Sequence, residues 1–343
     1  MADPPASILR RKDEHLDLAL TQQGGATAAA SPFDAIRFEP CALPELNLEA
    51  VSTTSSFLGR TLPAPFLVSS MTGGPARGEA INRNLAIACE ALGLPLAVGS
   101  QRIALENAAD AGLRGLRRHA PTTLLLANFG AAQLVRGYGV NEARRAVEMI
   151  EADGLFVHLN PMQEAVQSGG DTDWRGVLEG IAALARGLER PVLVKEVGFG
   201  LSAAVARRLV DAGVAGLDVS GTGGTDWAAI EAGRADDAFD AAVGAAFAGW
   251  GLPTPQALVE VRAVCPKAIL IGSGGVRHGV DAARAIRLGA DLVGQAGPVL
   301  RAAMTSTEAV LEHFAVMTRQ LKIACFCTGS ADLAALKRAR LIA

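Results

Sequence analysis

Eight short apolar runs punctuate the chain after residue 64, each closing on a small or polar cluster. They are Pro65–Met71, Pro95–Ser100, Thr123–Asn128, Gly154–Asn160, Pro191–Glu196, Gly216–Gly221, Ala268–Ser273 and Asp291–Gln295. Unbroken apolar runs of this length, not alternating ones, fit strands buried on both faces of a parallel sheet. Between most of them the period changes to that of a helix. Glu79–Leu92 sets Ile81, Leu85, Ala88 and Leu92 on one face, and Val140–Ala152 does the same with Ala143, Val147 and Ile150. Trp174–Leu188 and Ser202–Ala212 repeat the pattern, with Ser202 placed as an N-cap, and Val280–Leu288 stops at Gly289. Strand–helix alternation repeated eight times predicts an α/β fold, a (β/α)8 TIM barrel, whose chemistry gathers at the carboxyl ends of the strands.

Such a barrel takes about 250 residues, so the 343 present leave an N-terminal extension. We place the extension and a barrel cap at residues 1–64 and the barrel at 65–343, one domain overall. A short helix is expected over 7–20 and a flexible connector over 21–31. The turn-rich stretch 33–63 should close the bottom of the barrel and supply a hairpin. One connection is longer than the others. Between Thr225 and Ala268 the pattern gives two helices, around Trp227–Ala235 and Pro255–Val264, with Asp236–Trp250 between them as a lid or an additional packed helix.

Half of the residues are hydrophobic but only 4% are aromatic, so the core is built from Ala, Leu and Val. A net charge of −3 excludes an extended nucleic-acid surface, which needs a basic excess to neutralise phosphates. It leaves room for a small cationic pocket. No secretory segment or membrane-length apolar run is seen, so the expected compartment is the cytoplasm. Five cysteines, an odd number, do not describe a disulfide framework, and Cys325 and Cys327 lack a partner pair at zinc spacing.

The strand ends carry the candidate chemistry. Gly272–Arg277 and Gly294–Gly297 end the seventh and eighth runs, where barrels build phosphate sites from backbone N–H groups. Gly274, Gly275 and Gly297 supply the cradle and Arg277 a charged fork. Lys195 ends the fifth run. A lysine facing into a barrel mouth needs an anionic partner, and a flavin gathers negative charge near N1 and the C2 carbonyl on reduction. Met71, Thr72, Asn128 and Thr222 suit the flavin edge, and the single phosphate points to FMN. Arg102 is a second anion receptor across the mouth, so both cofactor and substrate would be phosphorylated. Glu164 is a hard oxygen donor suited to Mg2+ on a diphosphate. No nucleophile–base pair is evident, and no second dinucleotide-binding motif opens another domain.

Taken in order, Arg11–His15, Ser69–Gly74, Gly99–Arg102, Ala127–Asn128, His158–Glu164, Val194–Gly200, Gly221–Trp227, Trp250–Thr254 and Ser273–Arg277 resemble the type 2 isopentenyl-diphosphate isomerases, FMN-dependent barrel enzymes. The resemblance covers nearly the whole chain. It departs at Ser168–Asp171, where a Pro-Glu-Gly-Asp loop is expected. It implies conversion of isopentenyl diphosphate into dimethylallyl diphosphate with no net redox change, using reduced FMN as proton carrier, Mg2+, and NADPH as reductant. Carried over by position, it makes Gln163 and His158 the catalytic pair. Arg11, Lys12, His15, Ser100, Arg102, Asn160 and Gln163 would bind substrate and Glu164 the metal. Ser70, Met71, Thr72, Ser100, Asn128, Lys195, Ser220, Thr225, Gly274, Gly275, Arg277, Ala296 and Gly297 would bind FMN. The N-terminal residues would reach a neighbouring subunit, which implies a homo-oligomer, a tetramer or octamer. Two other readings stay open from the residues alone. One is another FMN oxidoreductase such as a 2-hydroxy-acid oxidase, and the other a non-catalytic phosphometabolite-binding barrel.

Overall fold

The computed structural model describes residues 14–21, 31–71, 77–106 and 112–342. Eight parallel strands close into a barrel: β1 Phe66–Val68, β2 Leu96–Ala97, β3 Leu125–Gly130, β4 Gly154–Leu159, β5 Val192–Glu196, β6 Gly216–Asp218, β7 Ile269–Gly272 and β8 Leu292–Gln295. Each pairs with the next, and β8 returns to β1 through Val293 opposite Phe66. All eight apolar runs are strands of this barrel.

The pleat sorts side chains by parity. One set, including Phe66, Val68, Leu125, Leu155, Val157, Val192 and Val194, faces the helical ring and joins the large outer core. The alternate set, Leu67, Leu126, Phe156, Leu193, Ile271 and Leu292, fills the barrel interior. Two residues further along the same strands, this inward parity reaches Ser69, Asn128, His158, Lys195, Asp218, Ser273 and Gly294. The interior therefore changes from apolar to polar in one layer, at the carboxyl end.

The opposite end is closed by an antiparallel hairpin, Ser55–Phe57 and Arg60–Leu62. Its two-residue turn puts Leu58 at φ 46° and Gly59 at φ 78°, the positive values that match the twist of a tight hairpin. Phe57 and Leu62 pack into the interior cluster with Leu124, Leu126 and Phe156. Phe57 is 1% exposed. Phe57→Ala should cost about 3–5 kcal/mol by removing its contacts and opening a cavity. Urea unfolding measures this, and a loss below about 1 kcal/mol would mean that the hairpin only rests on the barrel.

The outer helices form where the 3.6-residue period places them: Gly78–Leu92, Val140–Ile150, Val177–Gly187, Ala203–Asp211 and Gly279–Arg287. Ser202 caps its helix, its hydroxyl oxygen accepting from Val205 N at 3.4 Å. Residues 14–21 are helical. Most of the connector expected over 21–31 lies outside the described residues. The long β6–β7 connection takes the additional-helix alternative over Asp236–Trp250. It holds three helices, Trp227–Arg234, Ala238–Ala245 and Thr254–Val264. The middle one packs on the first, with Gly244 against Ala232. Phe239 and Val243 stay exposed, so its apolar residues draw no one-sided pattern in the sequence. Among the described residues no helix is long and apolar enough to cross a membrane. The five cysteines are free thiols; Cys89, Cys265 and Cys325 are buried and Cys327 is exposed.

Candidate active site at the barrel mouth

Above the polar layer lies a cavity of about 520 Å3, walled by the strand ends and by the first part of the β6–β7 connection. Its wall includes His15, Ser70, Met71, Ser100, Asn128, His158, Gln163, Lys195, Ser220, Thr225, Gly274, Gly275, Arg277, Ala296 and Gly297. Fifteen of the predicted site residues thus converge on one space. Thr72, Arg11 and Lys12 lie outside the described residues. Arg102, Asn160 and Glu164 stand outside the wall, although Asn160 touches Gln163 of the wall and Glu164 touches Asn160.

One wall is rich in glycine. Gly274 and Gly275 sit at φ +92° and +72°, values a side chain rarely adopts. A Cβ at Gly274 would run into the Gly221 carbonyl oxygen and lie 2.9 Å from Thr254 Oγ1. The β6 and β7 loops are stitched together by Gly221 N donating to Ser273 O at 3.1 Å. Thr254 Oγ1 lies 3.0 Å from Ser273 O and 2.7 Å from Gly274 O. Helix Gly297–Thr305 begins on the same wall, with Ala296, Gly297 and Pro298 in the lining. Arg277 is already engaged. It pairs with Asp34 at 2.5 Å and with the buried Asp281 at 3.1 Å. The Asp34 hydrogen bond, with Asp281 behind it, holds its pKa above the usual value.

The floor is the polar layer. Lys195 is 6% exposed and donates to the Glu196 carbonyl at 2.6 Å. Burial lowers its pKa, opposed by the charges of Asp218 and Glu196. The Glu196 carboxylate turns back into its own loop, where Oε2 accepts from the backbone N–H of Val197, Gly198 and Phe199 at 2.6–2.8 Å. Burial nevertheless pushes it up to about 7. Asn128 donates to Ser70 Oγ at 2.6 Å, and its Oδ1 lies 2.8 Å from His158 Nδ1. Its backbone N–H donates to Gln101 Oε1 at 2.9 Å. The sequence reading did not single out Gln101, which is fully buried and fixes Asn128 from behind.

On the far side Gln163 donates from Nε2 to Glu231 Oε1 at 2.9 Å. Glu231, also missed, is 3% exposed and takes His15 Nε2 at 2.9 Å and Arg234 Nη1 at 2.6 Å. Burial raises its pKa, but His15, Gln163 and Arg234 outweigh this and hold it below the usual carboxylate range. His15 packs edge-on against Trp227, ring centres 5.1 Å apart. It belongs to the site of its own chain. Behind Gln163, Asn160 Nδ2 donates to Glu164 Oε1 at 2.9 Å, and Glu164 Oε2 accepts from Asp171 N at 2.8 Å. This is the Ser168–Asp171 loop. Its Gly170 is sterically required, since a Cβ there would overlap the Glu164 carbonyl. Arg102 meets Glu106 at 3.1 Å.

The barrel, with a glycine-lined wall and a buried lysine in one cavity, defines the class first. Residues 158–343 match the family model described as FMN-dependent dehydrogenase. A solved mandelate oxidase with benzoyl-formic acid superposes with a TM-score of 0.64 at 17% identity, covering 100% of this chain and 99% of that one, a likeness of fold. The protein of Stutzerimonas stutzeri named isopentenyl-diphosphate delta-isomerase is 64% identical over 98% of this chain and 97% of its own. The protein of that name from Xanthobacter autotrophicus is 61% identical, covering 97% of each. The chain belongs to the isopentenyl-diphosphate delta-isomerase family, of the FMN-dependent type 2.

Proposed function

We propose that the protein interconverts isopentenyl diphosphate and dimethylallyl diphosphate on reduced FMN. The observation that carries this is the meeting, in one cavity, of a glycine-lined wall and a buried lysine with the polar side chains of Asn128, His158 and Gln163. Proteins similar to this one over nearly their whole length carry the name of that activity.

The residues fit FMN. The glycines at positive φ would bring backbone N–H groups to one phosphate, and Ser69 Oγ, in the cavity lining, is buried without a hydrogen-bond partner. Gly274, Gly275, Ala296 and Gly297 would hold the phosphate. Ser70, Met71, Thr72, Ser100, Asn128, Ser220 and Thr225 would border the ring, with Lys195 at its N1 and C2 carbonyl edge. Arg277 would act at the rim, its charge shared with Asp34 and Asp281. Bound in reduced form, FMN supplies the proton-exchanging group.

One proton is added at C4 of the substrate and one removed at C2, so the double bond shifts with no electron gained or lost. Gln163 is neutral at all working pH values, so its amide orients the hydrocarbon. Glu231 fixes that amide from behind. His158, its ring turned by Asn128, completes the catalytic pair. Arg11, Lys12, His15, Ser100, Arg102 and Asn160 would bind the substrate end, His15 within its own chain, and the chains would assemble as a tetramer or octamer. NADPH would reduce the flavin once and then stand aside.

Glu164 fits Mg2+ in the way that ion usually binds, through one or two carboxylates plus phosphate and water. Each of its oxygens accepts one hydrogen bond and keeps a further lone pair. Glu164→Gln should raise the Mg2+ concentration for half-maximal rate about tenfold or more, since a neutral oxygen replaces a charged one, with FMN affinity unchanged. Rate against Mg2+ and flavin fluorescence against FMN separate the two effects. The function itself is tested anaerobically with isopentenyl diphosphate, FMN, Mg2+ and NADPH. Product should far exceed NADPH consumed, and one NADPH oxidised per product would overturn the reading.

A further inference from the structure

We propose that Asp218 is a positioning residue whose buried carboxylate keeps the Lys195 ammonium charged beneath the flavin ring. The inference rests on the FMN reading above.

Lys195 and Asp218 are register partners on β5 and β6, both of inward parity. Lys195 lines the cavity and Asp218 does not, so the lysine is the nearer of the two to a bound ring. Asp218 is fully buried. Its Oδ1 accepts from Ser273 Oγ at 2.7 Å and from Ser220 N at 3.2 Å, and Oδ2 has no hydrogen-bond partner. Two donors thus fix the group in place and leave one oxygen with unspent charge. The Ser220 contact also ties down the β6 exit, where Ser220 sits at φ 37°.

Lys195 needs such a partner. A buried ammonium with no opposite charge gives up its proton instead of staying ionised. Three titratable groups face it. His158, its register partner on β4, is engaged with Asn128 and brings no negative charge. The Glu196 carboxylate is tied to its own loop amides and supports the Lys195 charge less than Asp218 does. Asp218 remains. The two buried groups support each other: burial raises the Asp218 pKa, and the charge of Lys195 opposes that rise. The pair carries no net charge but presents its positive end to the cavity, where reduction places negative charge on N1 and the C2 carbonyl.

The test is the midpoint potential of FMN bound to Asp218→Asn, by spectrophotometric titration from mildly acidic to alkaline pH. Asparagine keeps the shape and can still accept from Ser273. If Lys195 loses its proton with Asp218, the reduced flavin loses its partner. The preference for reduced over oxidised FMN should then fall about tenfold, a potential lower by about 30 mV for two electrons. The gap should close at acidic pH as Lys195 regains its proton. In a Lys195→Met background the same substitution should not lower the potential. An unchanged potential, or a raised one, overturns the proposal, because it means that Lys195 stays charged unaided. Should Asp218→Asn fail to fold, infrared spectroscopy of Lys195→Met decides. A protonated-carboxyl band absent from wild type supports the pairing, and no such band overturns it. Wild-type protein that takes up no FMN overturns the cofactor reading and this inference together. FMN-bound protein with an unshifted potential overturns this one alone.

Discussion

Gly274→Ala is expected to strip the protein of FMN. At φ +92° an alanine carries a backbone penalty of about 1–2 kcal/mol. Its methyl group would also meet the Gly221 carbonyl oxygen, part of a neighbouring loop stitched to this one through Ser273 and Thr254. The β6 and β7 loops must move apart, and the N–H groups of the glycine-lined wall move with them. Hydrogen bonds to a charged group contribute about 1.5–3 kcal/mol each, so misplacing two weakens FMN binding by roughly a hundredfold or more. Gly137→Ala is the control. Gly137 has nearly the same φ, +94°, but open space around it, so it bears the backbone strain without the collision. Fluorescence titration of both variants should show normal FMN affinity for the control only. Normal affinity in Gly274→Ala would put the phosphate elsewhere.

The barrel was legible because its strands are buried on both faces, which leaves apolar runs that need no alignment to see. The glycine-rich wall was legible for a related reason: glycine clusters fell at the ends of the last two runs, and both line the cavity. What escaped was anything defined across elements. Asp218 sits inside the apolar run Gly216–Gly221 and was not singled out. Its meaning appears only when Lys195 is seen beside it on the neighbouring strand. Glu231 reads as one polar position on a short helix, yet it is buried among groups from the N-terminal helix and the β4 loop. Gln101 acts through a backbone N–H, which no side-chain motif records. The stretch Asp236–Trp250 stayed open between a lid and a packed helix because the exposed Phe239 and Val243 of Ala238–Ala245 defeat the usual sidedness. His15 was foreseen as a site residue, but its attachment to Glu231 and Trp227 was not.

Glu231→Ala should lower turnover about a hundredfold or more while FMN affinity stays as in wild type. Gln163 is held at both ends. Its Nε2 donates to Glu231, and its Oε1 lies 3.3 Å from Asn160 Nδ2. With the carboxylate gone, the amide is free to rotate, and an error of about 1 Å at a positioning group can cost a hundredfold in rate. His15 and Arg234 lose the same partner, so the N-terminal helix also loosens from the cavity. Glu231→Gln separates shape from charge, since it keeps a hydrogen-bond acceptor for Gln163 but offers Arg234 no anion. It should therefore recover part of the turnover and little of the stability. The pH dependence has a definite sign. The Glu231 carboxyl is held below its usual range in the folded protein, so its contribution to stability is present above the unfolded value and disappears as pH falls through the folded one. Urea unfolding of wild type and Glu231→Gln should accordingly differ at neutral pH and converge in acid. Wild-type turnover in Glu231→Ala would show that Gln163 needs no support from this helix.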